Sequence, residues 1–115
     1  MIDLDQAITS SPPIQEKNPD SISLNMIRIM TLISLSTQGI AQIKADPELP
    51  KREMEFVEKW KSESLLEHFY ISVSKKDAVL IFQNVDETQT RKLIESLPYF
   101  PFMEKIEYHT LNRQF

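Results

Sequence analysis

Two segments of this chain carry apolar side chains on both of their alternating faces, and this pattern restricts the fold more than any other feature. In residues 25–35 the first set contains Met26, Met30 and Leu32, and the second contains Ile27, Ile29, Ile33 and Leu35. Residues 78–85 repeat the pattern, with Val79 and Ile81 in one set and Ala78, Leu80 and Phe82 in the other. Strands that are apolar on both faces are covered on both sides. The sequence therefore predicts two central strands.

The region between these strands contains a predicted helix and a predicted strand. Residues 51–62 follow Pro50, which suits the first turn of a helix, and they form an amphipathic pattern. Its apolar face carries Phe56, Val57 and Trp60, with Glu53, Lys59 and Lys61 elsewhere. Residues 66–74 alternate apolar and polar side chains, which is typical of a strand. Residues 36–49 remain open, because Ile40 and Ile43 suit either an extension of the first strand or a helical turn.

The last third of the chain predicts a second helix and an edge strand. Asp86 is suited to be the N-cap of a helix that buries Leu93, Ile94 and Leu97. In residues 103–111 charged side chains alternate with apolar ones, a pattern that favours the edge of a sheet. The rigid segment of residues 97–103, with its two prolines and three aromatic residues, joins the helix to this strand.

The predicted order is β-α-β-β-α-β, the ferredoxin-like pattern of an α+β protein. We expect a four-stranded antiparallel sheet with two helices on one face and the two doubly apolar strands in its centre. The other face then carries Met26, Met30 and Leu32 or their neighbours, with Leu80 and Phe82 beside them. Because monomers rarely expose so large an apolar surface, we expect a homodimer, or a larger ring, that assembles through this sheet face.

Composition restricts the class of protein. A length of 115 residues fits one domain, which we place at residues 21–115 after a flexible leader of residues 1–20. The net charge of −4 without a basic cluster argues against nucleic acid as a partner. The chain has no cysteine, no pattern of a signal peptide and no apolar run long enough to span a membrane. We therefore expect a cytoplasmic protein without a membrane partner.

Residues 97–104 read Leu-Pro-Tyr-Phe-Pro-Phe-Met-Glu and resemble the Leu-Pro-x-Phe-Pro-aromatic-Met-acid segment of muconolactone isomerases. Residues 67–70 are similar to that family's Arg-His-Leu-Trp segment, and residues 29–32 to its Lys-Met-Thr-Val strand. The resemblance covers residues 25–111. It implies a dimeric α+β barrel that assembles into a ring and moves a proton within a small unsaturated lactone or organic acid, without a cofactor.

The chain departs from the family pattern where that pattern is basic. Glu67 and Ile71 stand where basic residues flank the family's histidine, and Ile29 stands where its strand carries a lysine. Cations hold the carboxylate of an acidic substrate. Arg28, one position away, is the expected replacement, although a shift of one residue moves a side chain to the other face of a strand.

His68 is the expected acid or base of catalysis, because its ordinary pKa lies near neutral pH. The alternative is a histidine at a strand end that hydrogen-bonds to backbone. Glu104 is the expected carboxylate base, with Glu107 as its neighbour, unless both are simply solvated. We expect substrate contacts from Arg28, Tyr70, Phe100 and Phe102, although the aromatic residues of the turn equally suit closure of the barrel end or a subunit contact. Two histidines without paired spacing do not predict a metal site.

Three functions are consistent with this sequence. The first is a cofactor-free isomerase of the muconolactone isomerase type. The second is an oligomeric small-molecule-binding or scaffold protein that keeps the barrel without the chemistry. The third is a cofactor-free monooxygenase of the same barrel group.

Overall fold

A computed structural model describes residues 26–115, so the expected leader lies outside the described residues. The described part of the chain forms four strands and three α-helices. In chain order these are β1 (Ile27–Leu35), α1 (Thr37–Ala45), α2 (Glu48–Ser62), β2 (Leu66–Ile71), β3 (Asp77–Gln83), α3 (Glu87–Glu95) and β4 (Met103–Asn112). A short 3₁₀ turn, Phe100–Phe102, leads into β4.

The four strands form one open antiparallel sheet in the order β2-β3-β1-β4. The α+β class and the four-stranded antiparallel sheet are therefore confirmed. Strands β1 and β3 lie in the centre, as their two apolar faces predict, and Ile29 of β1 lies opposite Phe82 of β3. The fourth strand occupies one edge, as its alternating charges predict.

Residues 36–49, which the sequence left open, contain the whole of an additional helix and the start of the next. The observed order is β-α-α-β-β-α-β, so the expected pair of helices is a set of three. Helix α1 begins at Thr37 because the Ser36 hydroxyl accepts a 2.9 Å hydrogen bond from the Gly39 N–H. Pro47 separates α1 from α2, since a proline has no N–H to continue a helix.

The core lies between the helices and one face of the sheet. Ile29 and Ile33 of β1 meet Val57 and Trp60 of α2 and Ile94 of α3 in this layer. The Trp60 ring packs edge-on against Phe82, with 5.5 Å between ring centroids. Asp86 caps α3 as predicted, through a hydrogen bond from the Gln89 N–H to its carboxylate.

The opposite face of the sheet corrects one expectation. Leu80 and Phe82 do not lie beside Met30, because they pair with Thr31 and Ile29 on the face that the helices cover. Residues that pair directly across neighbouring strands point to the same face of a sheet. The face that no described helix covers instead carries partly buried aliphatic residues from the two central strands, namely Met30, Leu32, Val79 and Ile81. We call these four residues the open-face cluster.

Helix α1 packs closely against the 3₁₀ turn. The Ser36 N–H donates a 2.9 Å hydrogen bond to the Phe102 carbonyl. A Cβ added to Gly39 would lie 2.6 Å from the Phe102 Cβ and 2.8 Å from the Phe102 carbonyl oxygen. Only glycine permits this approach without a shift of the backbone.

Within residues 26–115, no helix combines the length and the apolar character needed to cross a membrane.

Candidate functional site

His68 lies on the edge strand β2, and its side chain is 55% exposed. Its ring stacks on Tyr70, with 6.1 Å between centroids, and its Nε2 lies 3.9 Å from a carboxylate oxygen of Glu67. His68 also lines an open groove of about 400 Å³ at the edge of the sheet against α2. The expected acid–base residue is therefore placed at the surface.

Glu104 lies at the start of β4, on the opposite edge of the sheet. The register places His68 opposite Ile81, Ile81 opposite Met30, and Met30 opposite His109. Three strand spacings, about 14 Å, therefore separate His68 from β4, and Glu104 lies five residues before His109. Within one chain the structure does not bring His68 and Glu104 together.

Arg28 lies almost buried on β1 and forms a two-pronged ion pair with Glu67 of β2. Its Nε lies 2.7 Å from one carboxylate oxygen of Glu67, and its second guanidinium nitrogen lies 3.2 Å from the other. This hydrogen-bonded pair lowers the pKa of Glu67 below its ordinary value. Glu67 is thus the partner of Arg28.

The three aromatic residues expected at a substrate occupy different surroundings. Tyr70 is 60% exposed beside His68. Phe100 packs against the core, and the backbone of Phe102 meets Gly39 of α1. Tyr99, which directly precedes Phe100, is the aromatic residue of the turn that lines a cavity.

This cavity lies between α2 and the helix-covered face of the sheet and has a volume of about 260 Å³. Its walls are mostly aliphatic and aromatic side chains, among them Ile33, Val57, Phe69, Leu80, Leu97 and Met103. Three charged residues complete the lining, namely Lys75 and Lys76 of the β2–β3 connection and Asp77, the first residue of β3. An apolar concavity with a few convergent polar groups is the usual form of a small-molecule site.

Glu53 of α2 places a carboxyl group in this cavity. One of its oxygens, Oε1, accepts a 2.9 Å hydrogen bond from the Tyr99 backbone N–H. Burial raises the pKa of Glu53 to about 7, although the hydrogen bond from Tyr99 acts in the opposite direction. Burial, together with the negative charge of Glu53, also raises the pKa of Tyr99. A carboxyl group with a pKa near the working pH is suited to accept and return a proton.

Lysine side chains supply positive charge at the same cavity. Lys75 and Lys76 both line it, and Lys76 also lies 3.4 Å from a carboxylate oxygen of Glu104. Lys75 adopts a positive φ of 65°, which turns the chain tightly between β2 and β3. The cavity thus combines an acid–base group with cations that suit a carboxylate. Glu104 does not line the cavity itself and is connected to it only through its ion pair with Lys76.

The sequence interpretation placed Glu53 away from the apolar face of its helix, and the structure shows this to be wrong. Leu49 and Val57 are both buried, and Glu53 lies four residues from each of them on the same stripe of α2. The spacing was therefore visible in the sequence. A carboxylate on an apolar stripe is the feature that could have identified this site.

The described residues contain no cluster of three or more side chains that could hold a metal ion. Compared with models of protein families and with curated proteins, the sequence has no match.

Proposed function

We propose that this chain is a muconolactone isomerase-like protein that moves a proton within a small unsaturated lactone or organic acid, without a cofactor. The proposal assigns the proton transfer to Glu53. The observation that carries it is the Glu53 carboxyl group, which is hydrogen-bonded to the Tyr99 N–H in a mostly apolar cavity that Lys75 and Lys76 also line. The resemblance of residues 97–104 to the family adds support.

In the proposed reaction, ionised Glu53 removes a proton from a carbon next to the carbonyl or double bond of the substrate. The C–H bond breaks, an O–H bond forms on Glu53, and the electron pair moves into the conjugated system. Protonated Glu53 then returns the proton to a different carbon, so that the product is an isomer of the substrate and Glu53 is ionised again. Lys75 and Lys76 hold the substrate's carboxylate during both steps.

The proposal includes ferredoxin-like connectivity, with α1 as an addition, and a dimeric α+β barrel. The central position of β1 and β3 and the antiparallel pairing support the connectivity. The open-face cluster supports a homodimer, or a larger ring, in which two sheets pack face to face. In such a dimer His68 and Tyr70 lie at the rim of the sheet interface, whereas the Glu53 cavity lies on the helix side of each subunit.

Exchange of substrate hydrogen with deuterium from D₂O, followed by NMR, tests the proposed reaction. The purified protein is incubated with muconolactone and with related unsaturated lactone acids. We expect Glu53→Gln to lower the exchange rate at least about 100-fold, the lower range for loss of an acid–base group. Glu55→Gln removes an exposed carboxylate from the same helix and should leave the rate unchanged.

The outcome separates this proposal from the earlier expectations. Full exchange by Glu53→Gln together with loss of exchange in His68→Ala would contradict the assignment of Glu53 and favour His68. Ligand-dependent stabilisation without any exchange would favour the alternative of a binding protein.

A further inference from the structure

The Glu53 cavity continues outward into a second concavity. A groove of about 560 Å³ lies between α1 and the β2–β3 connection. Leu35, Ile71, Lys75 and Tyr99 line both the cavity and the groove, so the two spaces meet at these four side chains. A ligand larger than the cavity therefore has a route from Glu53 to the outer groove.

Most residues that line the groove carry aliphatic or aromatic side chains. Ile40 and Ile43 of α1 line one side, and Val73, whose side chain is fully exposed, lines the other. The groove therefore offers aliphatic surface that is open to a ligand. Burial of an apolar substituent on this surface would stabilise a complex by about 0.8 kcal/mol for each methylene group, or roughly fourfold in affinity.

Lysine residues line both spaces, and one of them lies where the two spaces meet. Lys75 lines both of them, Lys76 lines the cavity, and Lys44 in the last turn of α1 lines the groove. An anionic group beside Lys75 would thus have apolar surface on both sides. This arrangement differs from that of a simple fatty-acid site, in which a single apolar chain leads away from the charged group.

We propose that the cavity and the groove together bind one branched carboxylic acid. Its carboxylate lies beside Lys75, one arm occupies the cavity next to Glu53, and a second, apolar arm occupies the groove along Ile40, Ile43 and Val73. This inference names the substrate class of the proposed site, so it rests on the proposed function. It adds that the substrate carries an apolar substituent in addition to the arm that reacts.

Two isomeric acids test this geometry by isothermal titration calorimetry below their micelle concentrations. The probes are 2-butyloctanoate, which has two apolar arms, and dodecanoate, which has the same number of carbon atoms in one chain. We expect 2-butyloctanoate to bind at least about tenfold more tightly, because its two arms fill both spaces. Equal or tighter binding of dodecanoate would overturn the proposal.

Substitutions locate the second arm and the carboxylate. Val73→Ser should weaken binding of 2-butyloctanoate roughly fivefold and leave that of hexanoate unchanged, since hexanoate fits the cavity alone. Its control is Leu111→Ser, which removes an exposed aliphatic side chain on β4. Lys75→Gln should weaken the binding of 2-butyloctanoate and of hexanoate, but not that of the neutral 2-butyl-1-octanol. Its control is Lys92→Gln, which removes one positive charge from α3 and should not change the binding of any of the three compounds. No effect of Val73→Ser or of Lys75→Gln would contradict the proposed placement.

The same measurements separate this inference from the proposed reaction. Glu53→Gln should retain the preference for the branched acid, because its amide still fills the cavity. If that preference holds while no substrate shows proton exchange, the proposed function is wrong, and the proposed binding of a branched acid is supported. If exchange is observed on small lactone acids without any preference for the branched probe, the proposed function stands and the second arm is refuted.

Discussion

The Tyr99 backbone N–H donates a 2.9 Å hydrogen bond to the Glu53 carboxylate and so joins residues 97–103 to the middle of α2. The prolines at positions 98 and 101 restrict the backbone on both sides of Tyr99, which holds this N–H in a set direction. The segment of residues 97–103 is thus in contact with the titratable group in the cavity. Its phenylalanines contribute to the fold, and its tyrosine contributes to the candidate site.

The raised pKa of Glu53 predicts a pH-dependent effect on stability. The folded-state pKa of about 7 exceeds the ordinary value of 4.5, so burial of the ionised carboxylate is unfavourable above neutral pH. The stability that the protonated form provides is present below pH 4.5 and is lost as the pH rises through 7. Glu53→Gln should therefore raise the free energy of unfolding by about 2 kcal/mol at pH 8 and change it little at pH 4.5. Urea denaturation at both pH values measures this difference, with Glu55→Gln as the control. If Glu53→Gln changed the free energy of unfolding equally at both pH values, the result would contradict the raised pKa.

Gly39→Ala should destabilise the protein by about 1–3 kcal/mol, the usual effect of forcing extra volume into a packed contact. The added methyl group would meet the Phe102 Cβ and carbonyl, neither of which is the end of a flexible side chain. The melting temperature measured by circular dichroism provides the test. Ala45→Gly, an exposed substitution at the end of the same helix, is the comparison for changes in helix propensity. A Gly39→Ala protein as stable as the original would contradict the close packing of α1 on the turn.

Thr31→Val should leave the protein equally stable or stabilise it by up to about 1 kcal/mol. The Thr31 side chain is fully buried, and its hydroxyl has no hydrogen-bond partner among the described residues. Valine has nearly the same shape without the polar atom. Thr90→Val, at an equally buried position, removes a hydroxyl that donates a 2.8 Å hydrogen bond to the Asp86 carbonyl, and it should destabilise α3. Chemical denaturation of both variants tests the contrast, and a larger loss for Thr31→Val would refute it.

Glu67→Gln should destabilise the protein by roughly 1–3 kcal/mol at pH 7, because the nearly buried Arg28 loses its carboxylate partner. The pKa of Glu67 is lowered in the folded state, so this stability is present above pH 4.5 and is lost as the pH falls through the lowered value. The difference between the variant and the original protein should accordingly shrink on acidification. Glu63→Gln, an exposed substitution just before β2, is the control in the same denaturation series. A difference that does not depend on pH would exclude the ion pair as its cause.

Ile81→Lys should convert the proposed homodimer into a monomer. Ile81 lies in the open-face cluster, where a lysine from each subunit would place charge in the centre of a sheet-to-sheet interface. Sedimentation velocity over a range of protein concentrations measures the oligomeric state. Val73→Lys adds the same charge at a fully exposed position and should leave the dimer intact. A monomeric original protein, or a dimeric Ile81→Lys variant, would remove the support for assembly through this face.

Several elements were predictable because neighbouring residues determine them. Asp86 caps α3 through hydrogen bonds with Gln89, only three positions away, and Pro50 lies in the first turn of α2 as expected. Ser36 caps α1 in the same local manner, through a hydrogen bond from the Gly39 N–H three residues later. The start of the additional helix could therefore also have been predicted from this serine. The sequence analysis left this region open between a strand extension and a helical turn, because Ile40 and Ile43 are compatible with both.

The sequence was enough to identify β1 and β3 as central strands, since apolar residues on both alternating faces are stable only where both faces are shielded. It could not determine which face of β3 meets the helices, because the pairing of Leu80 with Thr31 depends on the register between distant segments. The same holds for the candidate site. Periodicity places Glu53 on a stripe of α2, but only the tertiary structure brings the Tyr99 N–H, 46 residues away, to its carboxylate. The pKa of a side chain depends on such surroundings, and no local pattern encodes them.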